Sequence, residues 1–326
     1  MPTGASDGIA TAYAEAWSIY GGERMSTGTV GQIVEYKNGS TDGTYILEDD
    51  RSCKAAQLTA IRIERLVEEY ISDYQHIAVY ETAYHGKMLV LDGIVQMTTN
   101  DEFCYHEMIV HVPATVIGPE PKTALVVGGG DGGVVNQMCK IASLEKIVWI
   151  DIDSDVVRIC RQHLPELHEH HDQRVEFIAM DGADIEFDRE FDLIVVDGTD
   201  PLEDKASLWS QRFYSRLARA VKHEGVVTAL AGWAWPEPDM YLAIRDLSHA
   251  FFDHSRYYWF LDPSMRYGYT GVFLMTNSKV DPTVPAHLDR VPQDSMRYYN
   301  PGIHSAAFVQ PTCFTSGTPF APGSME

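Results

Sequence analysis

From about residue 121 the chain alternates short, continuous apolar runs with longer amphipathic segments. The runs are ALVV (124–127), KIVWI (146–150), VEFIAM (175–180), LIVV (193–196), GVVTAL (225–230) and GVFLM (271–275). Runs of this length without alternation read as strands covered on both faces. Between them, segments such as SDVVRICRQHL (154–164) and SQRFYSRLARAV (210–221) repeat apolar residues at helical spacing. Strand and helix in alternation predict a parallel sheet with helices on both sides, an α/β, Rossmann-like, doubly wound architecture.

The first hundred residues follow another pattern. HIAVYET, GKMLVLD and GIVQMTT are punctuated by His85-Gly86 and Asp92-Gly93, which predicts a β meander. LTAIRIERLV alternates at Ile61, Ile63 and Val67, yet its Glu, Arg and Leu suit a helix equally, so periodicity leaves it open. Asn38-Gly39 marks a turn between two short strands. The expected organisation is an N-terminal extension (1–53), a small N-terminal β-strand domain (54–114) and a catalytic domain with a C-terminal tail (115–326).

Composition narrows the class. The 326 residues are 45% hydrophobic, enough for a proper core. No apolar run approaches the roughly 20 residues of a membrane helix, and the N-terminus shows no basic region followed by an apolar stretch, so neither a membrane span nor a signal peptide is expected. A formal net charge of −22 argues against nucleic acid, which needs a basic face. Cys53, Cys104, Cys139, Cys160 and Cys313 have no CxxC spacing and read as free thiols in a reducing, cytoplasmic setting. His168, His170 and His171 lie in a polar stretch without a nearby Cys, and no metal site is read there.

Candidate chemistry gathers at strand ends. ALVV runs into Gly128-Gly129-Gly130-Asp131-Gly132-Gly133, with the helix-compatible VVNQMCK behind it. Such a turn lets a ligand approach the backbone at the carboxyl edge of a sheet. Asp151, 20 residues after Asp131, ends the next strand, where an acidic residue accepts hydrogen bonds from ribose hydroxyls. Asp181-Gly182 follows the third strand, within reach of an adenine amino group. An Asp inside the glycine loop would repel a pyrophosphate, and GxxxxGK[ST] is absent, so the expected ligand is a neutral or cationic nucleoside rather than a dinucleotide. The fourth strand ends in Asp197-Gly198-Thr199-Asp200-Pro201, and DEFCYHEMIVHVPA (101–114) places Tyr105, His106 and Glu107 just upstream.

The blocks LVLDGIVQMTTNDEFCYHEMIVHVPA, LVVGGGDGG, DGTDP and MRYYNPGIHSAAFVQPTCF, in that order over roughly residues 55–315, resemble the spermidine synthases. The resemblance implies a Rossmann-like fold of the methyltransferase type. It implies transfer of an aminopropyl group from decarboxylated S-adenosylmethionine to a small-molecule di- or polyamine, releasing methylthioadenosine, with no tightly bound cofactor or metal. By position, Gln75 and Gln96 would help hold the donor, with Gly128 and Gly130 in the loop against it. Asp131 would bind the ammonium of its aminopropyl group, Asp151 the ribose, and Asp181 with Gly182 the adenine. Asp197 matches the catalytic carboxylate, and Tyr105 would orient the amine with it. His106, Asp200 and Tyr267 would line the acceptor side. A homodimer or homotetramer is implied as well.

The chemistry accounts for the carboxylates. A primary amine with a pKa near 10.4 is almost wholly protonated at pH 7, a penalty of about 4.6 kcal/mol against the neutral nucleophile. A carboxylate can take that proton and aim the lone pair at the sulfonium-bound methylene. Two rivals remain: an S-adenosylmethionine-dependent amine N-methyltransferase, and a silent amine-binding homologue. Asp131 argues against the first, because a donor that keeps its carboxylate disfavours Asp there. The joint presence of Asp131, Asp197, Asp200 and Tyr105 argues against the second. The chain departs from the family pattern at Leu202-Glu203-Asp204, at Leu230 in place of a Gln, and in the loop Asp262–Tyr269. All three surround the expected acceptor pocket, so the acceptor need not be a simple diamine.

Overall fold

Among the described residues, seven strands of the first hundred pair in sequence order. They are β1 (Glu23–Arg24), β2 (Gln32–Tyr36), β3 (Gly43–Glu48), β4 (Thr59–Ile71), β5 (His76–Thr82), β6 (Lys87–Leu91) and β7 (Ile94–Thr98), all antiparallel to their neighbours. The structure is a computed structural model and describes residues 23–24, 32–36, 42–48, 59–168, 172–198, 206–235 and 238–312. Asp92 and Gly93 both take positive φ, 50° and 82°, the type I′ geometry whose twist suits a two-residue hairpin, and Leu91 pairs with Ile94 across them. The ambiguous LTAIRIERLV is strand. Ile61 and Ile63 are buried while Arg62 and Glu64 are exposed, and that two-residue period prevails over helical propensity. Asn38-Gly39 lies outside the described residues, between the paired β2 and β3.

The chain divides into two compact units, 1–100 and 101–326. The second holds helices α1 (Glu102–Val116), α2 (Gly133–Cys139), α3 (Ser154–His163), α4 (Gln211–Ala220), α5 (Pro238–Phe251) and α6 (Pro301–Ala307). Its strands are β8 (Thr123–Gly128), β9 (Lys146–Asp151), β10 (Val175–Ala179), β11 (Phe191–Asp197), β12 (Val221–Gly232), β13 (His254–Leu261) and β14 (Tyr269–Thr276). They form one sheet in the order β10-β9-β8-β11-β12-β14-β13, a Rossmann-like sheet of the expected type. One face packs on α1 and α2 through Met108, Val112, Val134 and Met138; the other packs on α4 and α5 through Phe213, Leu217 and Ile244.

Three details differ from the sequence reading. The sheet is mixed, because β14 runs antiparallel to both β12 and β13; the loop between β13 and β14 is too short for a crossover. β13 was not anticipated, since HSRYYWFL interleaves aromatic and polar residues instead of presenting an aliphatic run. β10 is an edge strand and only half-buried. In addition, the division falls after Asn100 rather than at 114/115, because α1 packs on the second sheet. No helix among the described residues is long and apolar enough to cross a membrane.

Helix α1 carries polar groups into this core, each with partners. Glu107, 1% exposed, accepts the backbone N–H groups of Arg297, Tyr298 and Tyr299 at 2.9, 2.9 and 2.8 Å. Charge-assisted bonds of this kind offset the cost of burying a carboxylate, and they pin the segment leading to α6. His111, fully buried, pairs through Nε2 with Gln137 Oε1 at 3.0 Å. Burial holds its pKa down to about 4, with Lys140 adding to the effect and Gln137 opposing it. The folded protein therefore keeps His111 neutral while the unfolded chain takes up a proton below about pH 6.5. Stability is complete above that value and is lost as pH falls toward 4. Denaturant unfolding at pH 7.5 and pH 5 should show a loss of about 2 kcal/mol traceable to this group, and His111→Gln should remove that part of the pH dependence.

Candidate active site

β8 ends at Gly128, and the chain turns into α2 with positive φ at Gly128, Gly129 and Gly132 (84°, 66° and 90°). At Gly128 the glycine is needed twice over. Its φ excludes most side chains, and a Cβ would lie 2.0 Å from the Asp197 carbonyl oxygen. At Gly130 a Cβ would meet Asp151 Oδ2 at 3.0 Å and Val156 at 2.8 Å. The turn thus lies flat against the ends of β9 and β11. It is tied there by the Gly129 N–H to the Asp197 carbonyl (2.8 Å) and the Trp149 indole N–H to the Gly128 carbonyl (2.9 Å).

Asp151 and Asp197 are the last residues of β9 and β11. Strand alternation places Asp151, Gly128 and Asp197 on the face of Trp149, Val126 and Val195, the face that packs on α1 and α2. The first turn of α1 then delivers Tyr105, whose hydroxyl donates to Asp197 Oδ1 at 2.6 Å. The next residue, His106, lies between two carboxylates: Nδ1 is 2.7 Å from Glu102 Oε2, and Nε2 is 3.5 Å from Asp131 Oδ1. Asp131 Oδ1 also accepts the Gly133 N–H at 2.7 Å.

The two loop-edge carboxylates are split by their surroundings. Burial raises the pKa of Asp197, and the neighbouring charge of Asp131 raises it further; the Tyr105 hydroxyl and His106 only partly offset this. For Asp131 burial also pushes upward, but His106 and the Gly133 amide outweigh it and the net shift is downward. One member of the pair keeps its negative charge and the other is moved toward the range of a general base. Tyr105 is raised well above its ordinary value by burial and by Asp197, so it remains a donor. Burial lifts Asp151 to about 7, with the Asp153 amide opposing.

The remaining expected residues are placed as follows. Asp151 Oδ1 accepts from the Asp153 amide at 2.8 Å, and Oδ2 faces Gly130. Asp181 caps a short 3₁₀ turn through the Ala183 amide (2.8 Å), with Gly182 packed on Val127. Tyr267 stands edge-to-face on Trp233 with ring centroids 5.1 Å apart. Leu230 follows Ala229 of β12, the register partner of Val196, and so sits beside Asp197. Gln75 and Gln96 belong to the first unit; Gln75 is in the turn after β4, and Gln96, in β7, donates to the Ile94 carbonyl at 3.2 Å. Asp200, with Leu202, Glu203 and Asp204, lies outside the described residues, as do His170 and His171. His168 is described, and its imidazole packs over Gly132.

Sequence reasoning missed two groups. Glu102 was legible as the acidic residue one turn before His106, but an i,i+4 acid–histidine pair is too common on helices to stand out. Asp262 is buried, 4% exposed, in the β13–β14 loop; Thr270 donates to it at 2.7 Å, and its charge acts on Tyr105. No local signal announces it, because the proximity comes from the hairpin.

Comparison with known proteins bears on what this arrangement serves. The spermine/spermidine synthase domain matches residues 102–285, and the spermidine synthase tetramerisation domain matches 48–99. A polyamine aminopropyltransferase of Moorella thermoacetica is 39% identical over 256 residues, covering 77% of this chain and 89% of the relative. One from Clostridium tetani is 36% identical over 244 residues, covering 74% and 86%. Among solved structures, a spermidine synthase in complex with the transition state analogue AdoDATO superposes with a TM-score of 0.73 at 29% identity, covering 80% of this chain and 90% of that one. The spermidine synthase of Thermotoga maritima gives 0.76 at 25% identity, covering 90% and 96%. With one domain of that description matched over more than half of its length and relatives of these identities along most of it, the chain belongs to the spermine/spermidine synthase family.

Proposed function

We propose that this protein transfers the aminopropyl group of decarboxylated S-adenosylmethionine to a di- or polyamine and releases methylthioadenosine. The observation that carries the reading is the pair formed by Tyr105 and Asp197, 2.6 Å apart, beside a glycine turn that holds a second, charged carboxylate, Asp131. Asp197 accepts the proton of the attacking amine, and its raised pKa suits that role. Tyr105 fixes the oxygen that receives it. Asp131, kept ionised by His106 and the Gly133 amide, pairs with the donor's ammonium. Asp151 takes the ribose hydroxyls, and Asp181 with Gly182 the adenine. His106, Asp200 and Tyr267 belong to the acceptor side as the family resemblance implies. The sulfonium is already a good leaving group, so one displacement completes the transfer without a covalent enzyme intermediate. The names of the relatives agree with this chemistry, and the matched tetramerisation domain supports a homotetramer.

The decisive assay offers a panel of amines with decarboxylated S-adenosylmethionine and, separately, with S-adenosylmethionine. Methylthioadenosine should appear with the first donor only; product formed solely from the second would sink the reading in favour of methyl transfer. Asp197→Asn should lower kcat by about 10² or more, the usual contribution of a positioned base; turnover within a few-fold of wild type would remove it from that role. The acid side of the kcat/KM profile should reflect the same carboxylate. The base works deprotonated and its pKa is raised, so activity should decline at a pH above the ordinary Asp value of about 3.9.

A further inference from the structure

Glu102, His106 and Asp131 form a buried chain of three titratable groups. The His106 side chain is 2% exposed and the two carboxylate side chains 12% each. The ring has little freedom: a Cβ on Gly133 would lie 2.0 Å from its Cε1, and the Tyr105 ring stands edge-to-face at 5.5 Å. Each ring nitrogen therefore faces a carboxylate. An imidazolium donates from both nitrogens and satisfies that geometry; a neutral imidazole donates from one only. The charged groups around it share one sign: Glu102 from its own helix, Asp131 from the glycine turn, Asp197 from β11 and Asp262 from the β13–β14 loop. His168, whose ring packs over Gly132, also acts on Asp131, and burial lowers its own pKa. Burial opposes the charge on His106, but Asp131 and Glu102 outweigh it, and its pKa stands well above the ordinary value.

Asp131 is also the carboxylate assigned above to the donor's ammonium, and this inference rests on that reading. One buried carboxylate cannot pair with two cations a few ångströms apart without strong repulsion between them. We propose that the His106 imidazolium, held by Glu102, fills the Asp131 cation subsite in the empty enzyme, and that the arriving ammonium takes its place by expelling one proton. The Nε2–H bond of His106 breaks and its proton passes to solvent. His106 remains as neutral imidazole donating from Nδ1 to Glu102, and the ammonium assumes the charge pairing with Asp131. No bond of the donor changes. Glu102 is thus a positioning residue: it sets the protonation state of His106 without touching substrate. The arrangement gives an acidic pocket an internal counter-ion while it waits for substrate.

Calorimetric titration of the full-length protein at pH 7.5, in buffers of different ionisation enthalpy, counts the protons. Decarboxylated S-adenosylmethionine should release between about one-half and one proton per site, and its affinity should weaken by up to about tenfold per pH unit as pH falls. Methylthioadenosine has the same nucleoside without the ammonium and should release clearly less, only what Asp151 gives up at the ribose. His106→Gln should release no more on binding the donor than methylthioadenosine does, with a correspondingly shallower pH dependence of donor KM, while Glu102→Gln should release clearly less than wild type at pH 7.5. Donor binding to wild type with no more proton release than methylthioadenosine gives would overturn the inference, as would unchanged release in His106→Gln. Binding of methylthioadenosine with no binding of the donor would overturn the donor assignment itself, and this inference with it.

Discussion

The contact on which the second unit depends is the approach of the glycine turn to the end of β11. Gly128 lies so close to the Asp197 carbonyl that no side chain fits between them, and the Gly129 amide bonds that same carbonyl. Two parallel strands are thereby locked in register at their carboxyl ends, with Asp197 paired to Gly128. Everything chemical follows from that register. It sets Asp197 under the loop that carries Asp131, leaves the first turn of α1 as the cover, and puts Tyr105 within 2.6 Å of the carboxylate. A shift of one residue would turn Asp197 to the opposite face of the sheet, toward α4 and α5.

Crowding carboxylates at a buried edge has a cost, and the local partners decide which group bears it. Asp131 receives a backbone amide and an imidazole, and keeps its charge. Asp197 receives one phenol, and its pKa moves up. The same physics that would destabilise a random pair of buried acids here separates a carboxylate that keeps its charge from one moved toward the range of a base. The imidazole is central to that division, since moving its charge alters both carboxylates at once. Glu107, one helical position further along α1, shows the other solution to burying an acid. It is surrounded by three amides and holds the tail in place.

The strands of the second sheet were legible because aliphatic runs of four to six residues have few other readings. Asp151 and Asp197 were legible for the same reason, since each ends such a run. β13 was not, because an aromatic strand covered on one face only in part resembles a polar loop in composition. The direction of β14 was hidden as well, for it follows from the length of the β13–β14 connection and not from the strand's own pattern. Side-chain partnerships across distant segments were the least visible. Glu102 with His106 is local and was recoverable in principle. Asp262 reaches the neighbourhood of Tyr105 only after the sheet has formed.

This contrast separates the two halves of the site. The proposed donor side is built from groups fixed by backbone: strand ends, a glycine turn and a helix N-terminus. Their positions are set by hydrogen bonding that the fold itself requires. The proposed acceptor side draws on β12 and the β13–β14 loop, where side chains decide. Leu230 adjoins Asp197 through the β11–β12 register and offers no hydrogen bond, while Trp233 and Tyr267 pack edge to face nearby. An apolar and aromatic lining can exclude water from an amine's methylene chain, and an aromatic face can attract its cationic ends. It cannot count hydrogen-bond donors as a Gln would. On the proposed reading, discrimination among amines then rests on length and on where the buried carboxylates fall along the chain.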